Sequence, residues 1–264
     1  MSFSSFMQKA PLGKEAHYED TYNKKLLCPL PRTSSREGLD VAFFGYDIWR
    51  AYELSWLNSH GRPEIAVAHF IIPCHSPHLI ESKSFKLYLQ SFSQSRFESV
   101  DIVLETLKDD LTEVIGISPQ ILFNASTSSI EGLSLDTIQC PIDTYEVEKA
   151  FLKTSPKIVT ESLKTDLFRS LCLVTGQPDF ATIGISYEGP QIDHTGLLQY
   201  LISYRKHAGL HEQCIEQVYS HIRHICKPQR LTVTGCFTRR GGLDINPCRS
   251  SHEVALGNIR VPRQ

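Results

Sequence analysis

The stretch from Ser170 to Tyr187, S-L-C-L-V-T-G-Q-P-D-F-A-T-I-G-I-S-Y, decides how the second half of this chain is read. Beyond its Gln177-Pro178-Asp179 corner, Phe180, Thr182, Gly184 and Ser186 alternate with Ala181, Ile183, Ile185 and Tyr187. Alternation of period two with β-branched residues predicts a half-buried strand. Pro178 fixes its own φ and biases Gln177 toward extended backbone, so a shaped loop precedes that strand. Such a loop can bring Cys172 and Asp179 to one place. A thiol needs a proton acceptor or a positive field to become a nucleophile, and a carboxyl group can take or give protons. The same residues also fit a plainer role, a cysteine packed as a small hydrophobe beside a strand.

Working outward, the elements come in a recurring order. Asp47 to Leu57 and Glu64 to Pro73 read as the two strands of a hairpin, joined by the turn residues Asn58-Ser59-His60-Gly61. Arg50 and Trp49 interrupt a clean alternation in the first. Residues 81–97 place Phe85, Leu89 and Phe92 at helical spacing, and a second amphipathic helix is expected over about 98–114. Pro119 to Ser126 then reads as strand. In the second half Lys157 to Thr165 and Asp179 to Tyr187 are strand-like, Gly196 to Lys206 and His211 to Cys226 helical, and Leu231 opens another strand. Strand, strand, helix, helix, strand appears twice, which predicts an α+β plan with a weak internal duplication. We divide the chain into an irregular lead-in over 1–40, rich in Pro and Gly, a first repeat over 41–150 and a second over 151–264.

Composition narrows the function classes. The 264 residues are 41% hydrophobic and 21% charged, with a formal net charge of −2. That is ordinary for a globular chain and gives no global basic field for nucleic acid. The polar N-terminal stretch lacks the apolar core of a secretory signal, and no apolar run reaches the ~18–20 residues that span a bilayer. The eight cysteines contain no C-x-x-C pair and read as reduced thiols of a cytoplasmic protein. Cys74-His75 with His78 lacks the paired spacing of a zinc site, so no metal is expected.

Four motifs carry the chemistry, each with an ordinary alternative. Glu81-Ser82-Lys83-Ser84-Phe85-Lys86-Leu87-Tyr88 could be a plain helix start, with an acidic residue at the positive end of the dipole. His211-Glu212-Gln213-Cys214 could likewise open a helix. Arg239-Arg240-Gly241-Gly242, running on to Leu243-Asp244-Ile245-Asn246-Pro247, could be a solvated turn after a strand. The fourth is the Cys172–Asp179 loop. No glycine fingerprint of a dinucleotide-binding fold follows a strand, so a nicotinamide cofactor would have to bind in another way.

Taken together, C-L-V-T-G-Q-P-D-F-A-T-I, E-S-K-S-F-K-L-Y, H-E-Q-C and R-R-G-G resemble, in the same order, the motifs of the QueF-type nitrile reductases. These are the 7-cyano-7-deazaguanine reductases of queuosine biosynthesis, and the match is to the long tandem form. The resemblance implies tandem tunnelling-fold (T-fold) repeats, each an antiparallel sheet with two helices on one face. It implies Cys172 as a nucleophile forming a covalent thioimide, Asp179 as proton donor and His211 as a later proton-transfer partner. It places the deazaguanine base against Ile80, Glu81, Ser82, His211 and Glu212, with the site between repeats. NADPH would meet Ser82, Lys83, Arg240 and Gly241, with Lys86 a further candidate. Cations there suit its phosphates, including the 2′-phosphate. The free base, rather than tRNA, would be the direct partner, and the tandem form implies a homodimer. One departure is Leu210, where the family pattern has an aromatic residue before the histidine. Two other classes stay open, a zinc cyclohydrolase of the same fold and a non-catalytic purine-binding module. The first needs a Cys/His ligand set, and the second has no use for Cys172 and Asp179.

Overall fold

A computed structural model describes residues 18–39 and 41–264. In chain order its elements are β1 (Pro29–Pro31), the single helical turn α1 (Arg32–Ser35), β2 (Phe44–Leu57), β3 (Pro63–Pro73), β4 (His78–Ile80), α2 (Ser82–Gln90), α3 (Val100–Ile115) and β5 (Gln120–Phe123). There follow β6 (Leu133–Ser134), β7 (Thr154–Leu171), β8 (Pro178–Ile192), α4 (His194–Ile202), α5 (His211–Ile225), β9 (Arg230–Phe237) and β10 (Leu243–Ser250). No helix among the described residues is long and apolar enough to cross a membrane.

The described residues form two compact units, one of 18–37, 47–126 and 239–244, the other of 38–39, 41–46, 127–238 and 245–264. Both are α+β. In the first, the strand order is β5-β3-β2, with β1 and β4 as a separate antiparallel pair. Helix α2 lays Phe85 edge-on against Trp49 of β2 and Phe70 of β3, at centroid distances of 5.5 and 5.0 Å. Aromatic rings bury much area per residue, and these T-shaped contacts fix how the helix sits on the strands. Helix α3 is capped by Ser99, whose hydroxyl accepts from Ile102 N. It ends at Gly116 in left-handed backbone, where a side chain would also strike Pro77.

The second unit has the order β10-β9-β8-β7-β6, antiparallel except for the β6–β7 pair. The alternation read in β8 is the alternation observed. Ala181, Ile183, Ile185 and Tyr187 are buried in one core with Leu197, Tyr200 and Leu201 of α4 and Ile215, Val218 and Ile222 of α5. Both helices therefore cover the same face of the sheet. On the opposite face Gly184 leaves room for Ile130, which packs with Cys236 and Val261.

Three elements depart from expectation. Helix α2 ends at Gln90 rather than near 97, because the Ser91 and Ser95 hydroxyls bond back to main-chain carbonyls and the chain turns. Leu243 to Ser250 is a fully buried strand, not a continuation of the glycine turn. Arg50, which spoiled the alternation of β2, is buried and pairs with Asp244 at 3.2 Å. Within the described part of the lead-in, β1 pairs with β4, and Arg32 holds Asp47 at 2.6 Å in a buried ion pair.

Candidate active site

The β7–β8 hairpin carries two of the residues expected to act, Cys172 and Asp179. Ser170 lies directly across from Asp179, and Leu171 across from Pro178, before the strands part. The loop between them is closed by Cys172 N donating to Gln177 O at 2.8 Å and Gly176 N to Cys172 O at 3.0 Å. Gly176 takes φ +64°, a value that favours glycine. Asp179 occupies the same parity as Ala181 and Ile183, so its carboxyl is turned to the face covered by the helices and is only 4% exposed. Cys172, two positions beyond Ser170, is 8% exposed.

A loop then brings the start of α5 to this face. Leu171 exchanges main-chain hydrogen bonds with the 207–209 segment, Leu171 N to His207 O at 2.8 Å and Gly209 N to Leu171 O at 3.1 Å. Helix α5 begins two residues later. Leu210 is its N-cap and offers no side-chain oxygen, so Gln213 Oε1 accepts from Leu210 N at 3.0 Å instead. His211 and Glu212 are thereby delivered beside the hairpin. His211 Nε2 lies 3.4 Å from Asp179 Oδ2. Its ring is stacked on Phe237 with centroids 3.9 Å apart and planes 5° from parallel. Its Nδ1 is buried and has no hydrogen-bond partner among the described residues. Glu212 is 4% exposed in the first turn, where the helix dipole favours a negative charge.

Cys214, on the same turn, is a second buried thiol. Burial pushes its pKa up to about 12, helped by the charges of Asp179 and Glu212 and opposed by the nearby Ser170 hydroxyl. At neutral pH it is a protonated, inert thiol. The sequence assigns no role to Cys214, Ser170 or Phe237. The register of β7, β8 and β9 would have been needed to find them.

The first unit holds the other predicted residues. Glu81 caps α2, with Oε1 accepting from Lys83 N at 2.7 Å and Oε2 from Ser84 N at 2.8 Å. Both carboxylate oxygens are thus engaged with the helix start, and Ser82 Oγ also donates to Oε1 at 3.4 Å. Burial pushes its pKa above the usual carboxylate range, although these main-chain donors and Ser82 pull the other way. Ile80 is buried, at the end of β4, while Ser82 and Lys83 open the helix half-buried. Arg240 and Leu243 bond to each other's main chain in both directions, closing a turn whose centre is Gly241 at φ +56° and Gly242 at φ +79°. A Cβ on Gly241 would sit 2.8 Å from Lys86 Cδ and 3.0 Å from its Nζ. The bare glycine backbone therefore lies against the Lys86 ammonium, which brings Lys86 into the same group as Arg240. Exposed backbone without side chains, flanked by fixed cations, suits phosphate oxygens.

Two family models match this chain. One, described as nitrile reductase, 7-cyano-7-deazaguanine-reductase N-term, covers residues 18–122, and the other, described as QueF-like protein, covers 178–255. The chain is 47% identical to the NADPH-dependent 7-cyano-7-deazaguanine reductase of Burkholderia ambifaria, over 97% of this chain and 99% of that protein. It is 48% identical to the protein of the same name in Burkholderia lata, with the same coverage. Among solved structures, the archaeosine synthase QueF-Like in its apo form aligns with a TM-score of 0.33 at 18% identity, over 38% of this chain and 99% of that one.

Proposed function

The chain belongs to the 7-cyano-7-deazaguanine reductase family, and from that premise we propose that it reduces the nitrile of 7-cyano-7-deazaguanine to an aminomethyl group with two NADPH, toward queuosine in tRNA. One observation carries the reading at the level of chemistry. An imidazole and a carboxyl group, His211 and Asp179, meet on one buried face with Nε2 3.4 Å from Oδ2, and the buried thiol of Cys172 belongs to the loop that leads into the strand of Asp179.

A nitrile carbon accepts hydride poorly until it is activated. The Cys172 thiolate adds to that carbon as Asp179 gives its proton to the nitrile nitrogen, which makes a thioimide and leaves Asp179 as carboxylate. NADPH, when bound, supplies one hydride to the thioimide carbon and a second to the imine that follows. Between these stages the carbon–sulfur bond of the thiohemiaminal breaks, the nitrogen lone pair forms the imine, and the sulfur leaves as Cys172. Protons for nitrogen come from His211. Splitting one hard step into easier ones is what covalent catalysis achieves. Ile80, Glu81, Ser82, His211 and Glu212 hold the base, the two carboxylates accepting from its N–H groups. Ser82, Lys83, Arg240 and Gly241, with Lys86, hold the cofactor, for which the glycine turn and its cations are a chemical fit.

Eight cysteines spread through the chain without a C-x-x-C pair support a reducing, cytoplasmic location. Family resemblance alone supports a homodimer acting on the free base, without membrane or nucleic acid.

NADPH oxidation followed by absorbance, with 7-cyano-7-deazaguanine as substrate, tests the proposal. Beside it, intact-mass spectrometry reads protein plus nitrile without cofactor. We expect two NADPH consumed per nitrile, and a mass gain of one substrate that disappears in Cys172→Ala. An adduct and normal turnover in Cys172→Ala would remove the nucleophile assignment. Neither turnover nor adduct in the parent protein would favour a non-catalytic purine-binding module.

A further inference from the structure

The buried Nδ1 of His211 requires a cause. A buried polar atom without a partner is costly, and native proteins keep few of them. The imidazole could reduce that cost by turning about its second side-chain torsion, which is broad and roughly two-fold. Turns that take the ring out of its present plane are blocked. Phe237, itself fully buried, lies flat against it at 3.9 Å and 5°. Phe237 is in turn fixed on the sheet, paired with Ala181 in register. Phe168 stands perpendicular to it at 6.2 Å, and Gln264 Nε2 donates to its carbonyl at 2.8 Å. Ala181 is one step along β8 from Asp179 on the same face, so a ring lying over Phe237 reaches the Asp179 carboxyl with one nitrogen and turns the other away.

We propose that Phe237 is a positioning residue, whose ring holds His211 with Nε2–H donated to Asp179, so that Nδ1 is the atom that passes protons to the substrate nitrogen. The inference rests on the reductase reading and assigns the atom through which His211 works. After the nitrile has been activated, Asp179 is a carboxylate and accepts from Nε2–H. The proton on Nδ1 of the imidazolium then goes to the nitrogen as the C=N electron pair collapses onto it under hydride attack by NADPH. His211 is left neutral with its proton on Nε2, and solvent restores Nδ1–H. Attack by Cys172 with Asp179 needs no such help, so loss of the stack separates the stages.

The test compares Phe237→Leu, which keeps apolar volume but no ring, with Phe237→Tyr, which keeps the ring. For Leu we expect a Cys172 adduct of the same mass, formed within about twofold of the parent rate. Turnover falls about tenfold or more, with KM for the nitrile within about twofold, as a missing proton-transfer partner requires. For Tyr, turnover recovers most of that loss. Unchanged turnover in Leu, or adduct formation and turnover falling in step, would overturn the proposal. Nitrogen-15 NMR of histidine-labelled parent protein judges the ring even where a variant does not fold, with His211→Asn identifying the signal. Neutral His211 carrying its proton on Nε2, with Nδ1 the nitrogen that shifts on adding 7-cyano-7-deazaguanine, is the expected result. A proton on Nδ1 would refute the assignment. Absence of both adduct and turnover in the parent protein would instead bring down the reductase reading itself, and the proposal with it.

Discussion

Gly241 can be tested at one atom. Its φ of +56° lies in the left-handed region, and a Cβ there would come within 2.8 Å of Lys86 Cδ. For an L-residue the backbone alone costs about 1–2 kcal/mol, and Lys86 would have to swing aside. Gly241→Ala should therefore raise KM for NADPH by roughly fivefold or more, the factor that about 1 kcal/mol makes. Formation of the Cys172 adduct, which needs no cofactor, should be unaffected. Steady-state kinetics in NADPH beside the intact-mass assay reads both, and an unchanged KM would detach Gly241 from the cofactor. The left-handed pair was legible in the sequence as Gly-Gly after an arginine pair. The contact with Lys86 was not, since 155 residues of chain separate the two positions.

At the scale of elements, legibility followed burial. Strand β8 is covered by helices on one face, so its residues alternate and period two was visible in Phe180 to Tyr187. Strand β10 is buried along its whole length, and Asp244, Asn246, Arg249 and Ser250 are polar. Neither alternation nor apolar run remained to announce a strand. Its polar groups are satisfied by residues remote in sequence, such as Tyr52, Glu216 and Gln264. The joint of β7, β8 and α4 shows the same dependence on distant partners. Glu161 accepts from Tyr187 OH at 2.8 Å, His194 Nε2 at 3.0 Å and Gln191 Nε2 at 3.1 Å. Burial raises its pKa, but these donors outweigh burial and hold it below the ordinary 4.5. A carboxylate with a lowered folded pKa stabilises the fold above its unfolded value, and that stability is lost as pH falls through the folded one. The advantage of the parent over Glu161→Gln should be full above about pH 5 and shrink below pH 4.5. Urea midpoints measured for both proteins from pH 7 to about pH 3.5 would show it, and a constant gap would contradict it.

Across the whole molecule, long-range order depends on buried ion pairs as well as on apolar packing. In the first unit Arg50 Nη1 meets Asp244 Oδ1 at 3.2 Å, and Tyr52 OH donates to Asp244 Oδ2 at 2.6 Å. In the second, Arg249 Nη2 and Nε both reach Glu216 Oε1, at 2.8 and 3.0 Å. Each pair joins residues far apart in sequence, and in each both partners are essentially buried. Such pairs gain little net energy, because desolvation of two charges offsets most of their attraction. Their effect is on which arrangement is tolerated, since a strand out of register would leave a buried arginine uncompensated. Two outcomes separate this account from simple stabilisation. Asp244→Ala should cost about 3–5 kcal/mol by stranding Arg50, a fall in Tm of roughly 6 °C or more for a chain of this size. Replacing both partners, Arg50→Met with Asp244→Leu, should recover most of that loss, since the stranded charge is then gone. Thermal unfolding of the parent, single and double variants decides the matter. A double variant as unstable as Asp244→Ala would mean that the pair supplies net attraction after all, and that Asp244 holds the Arg240–Leu243 turn in place by strength rather than by exclusion.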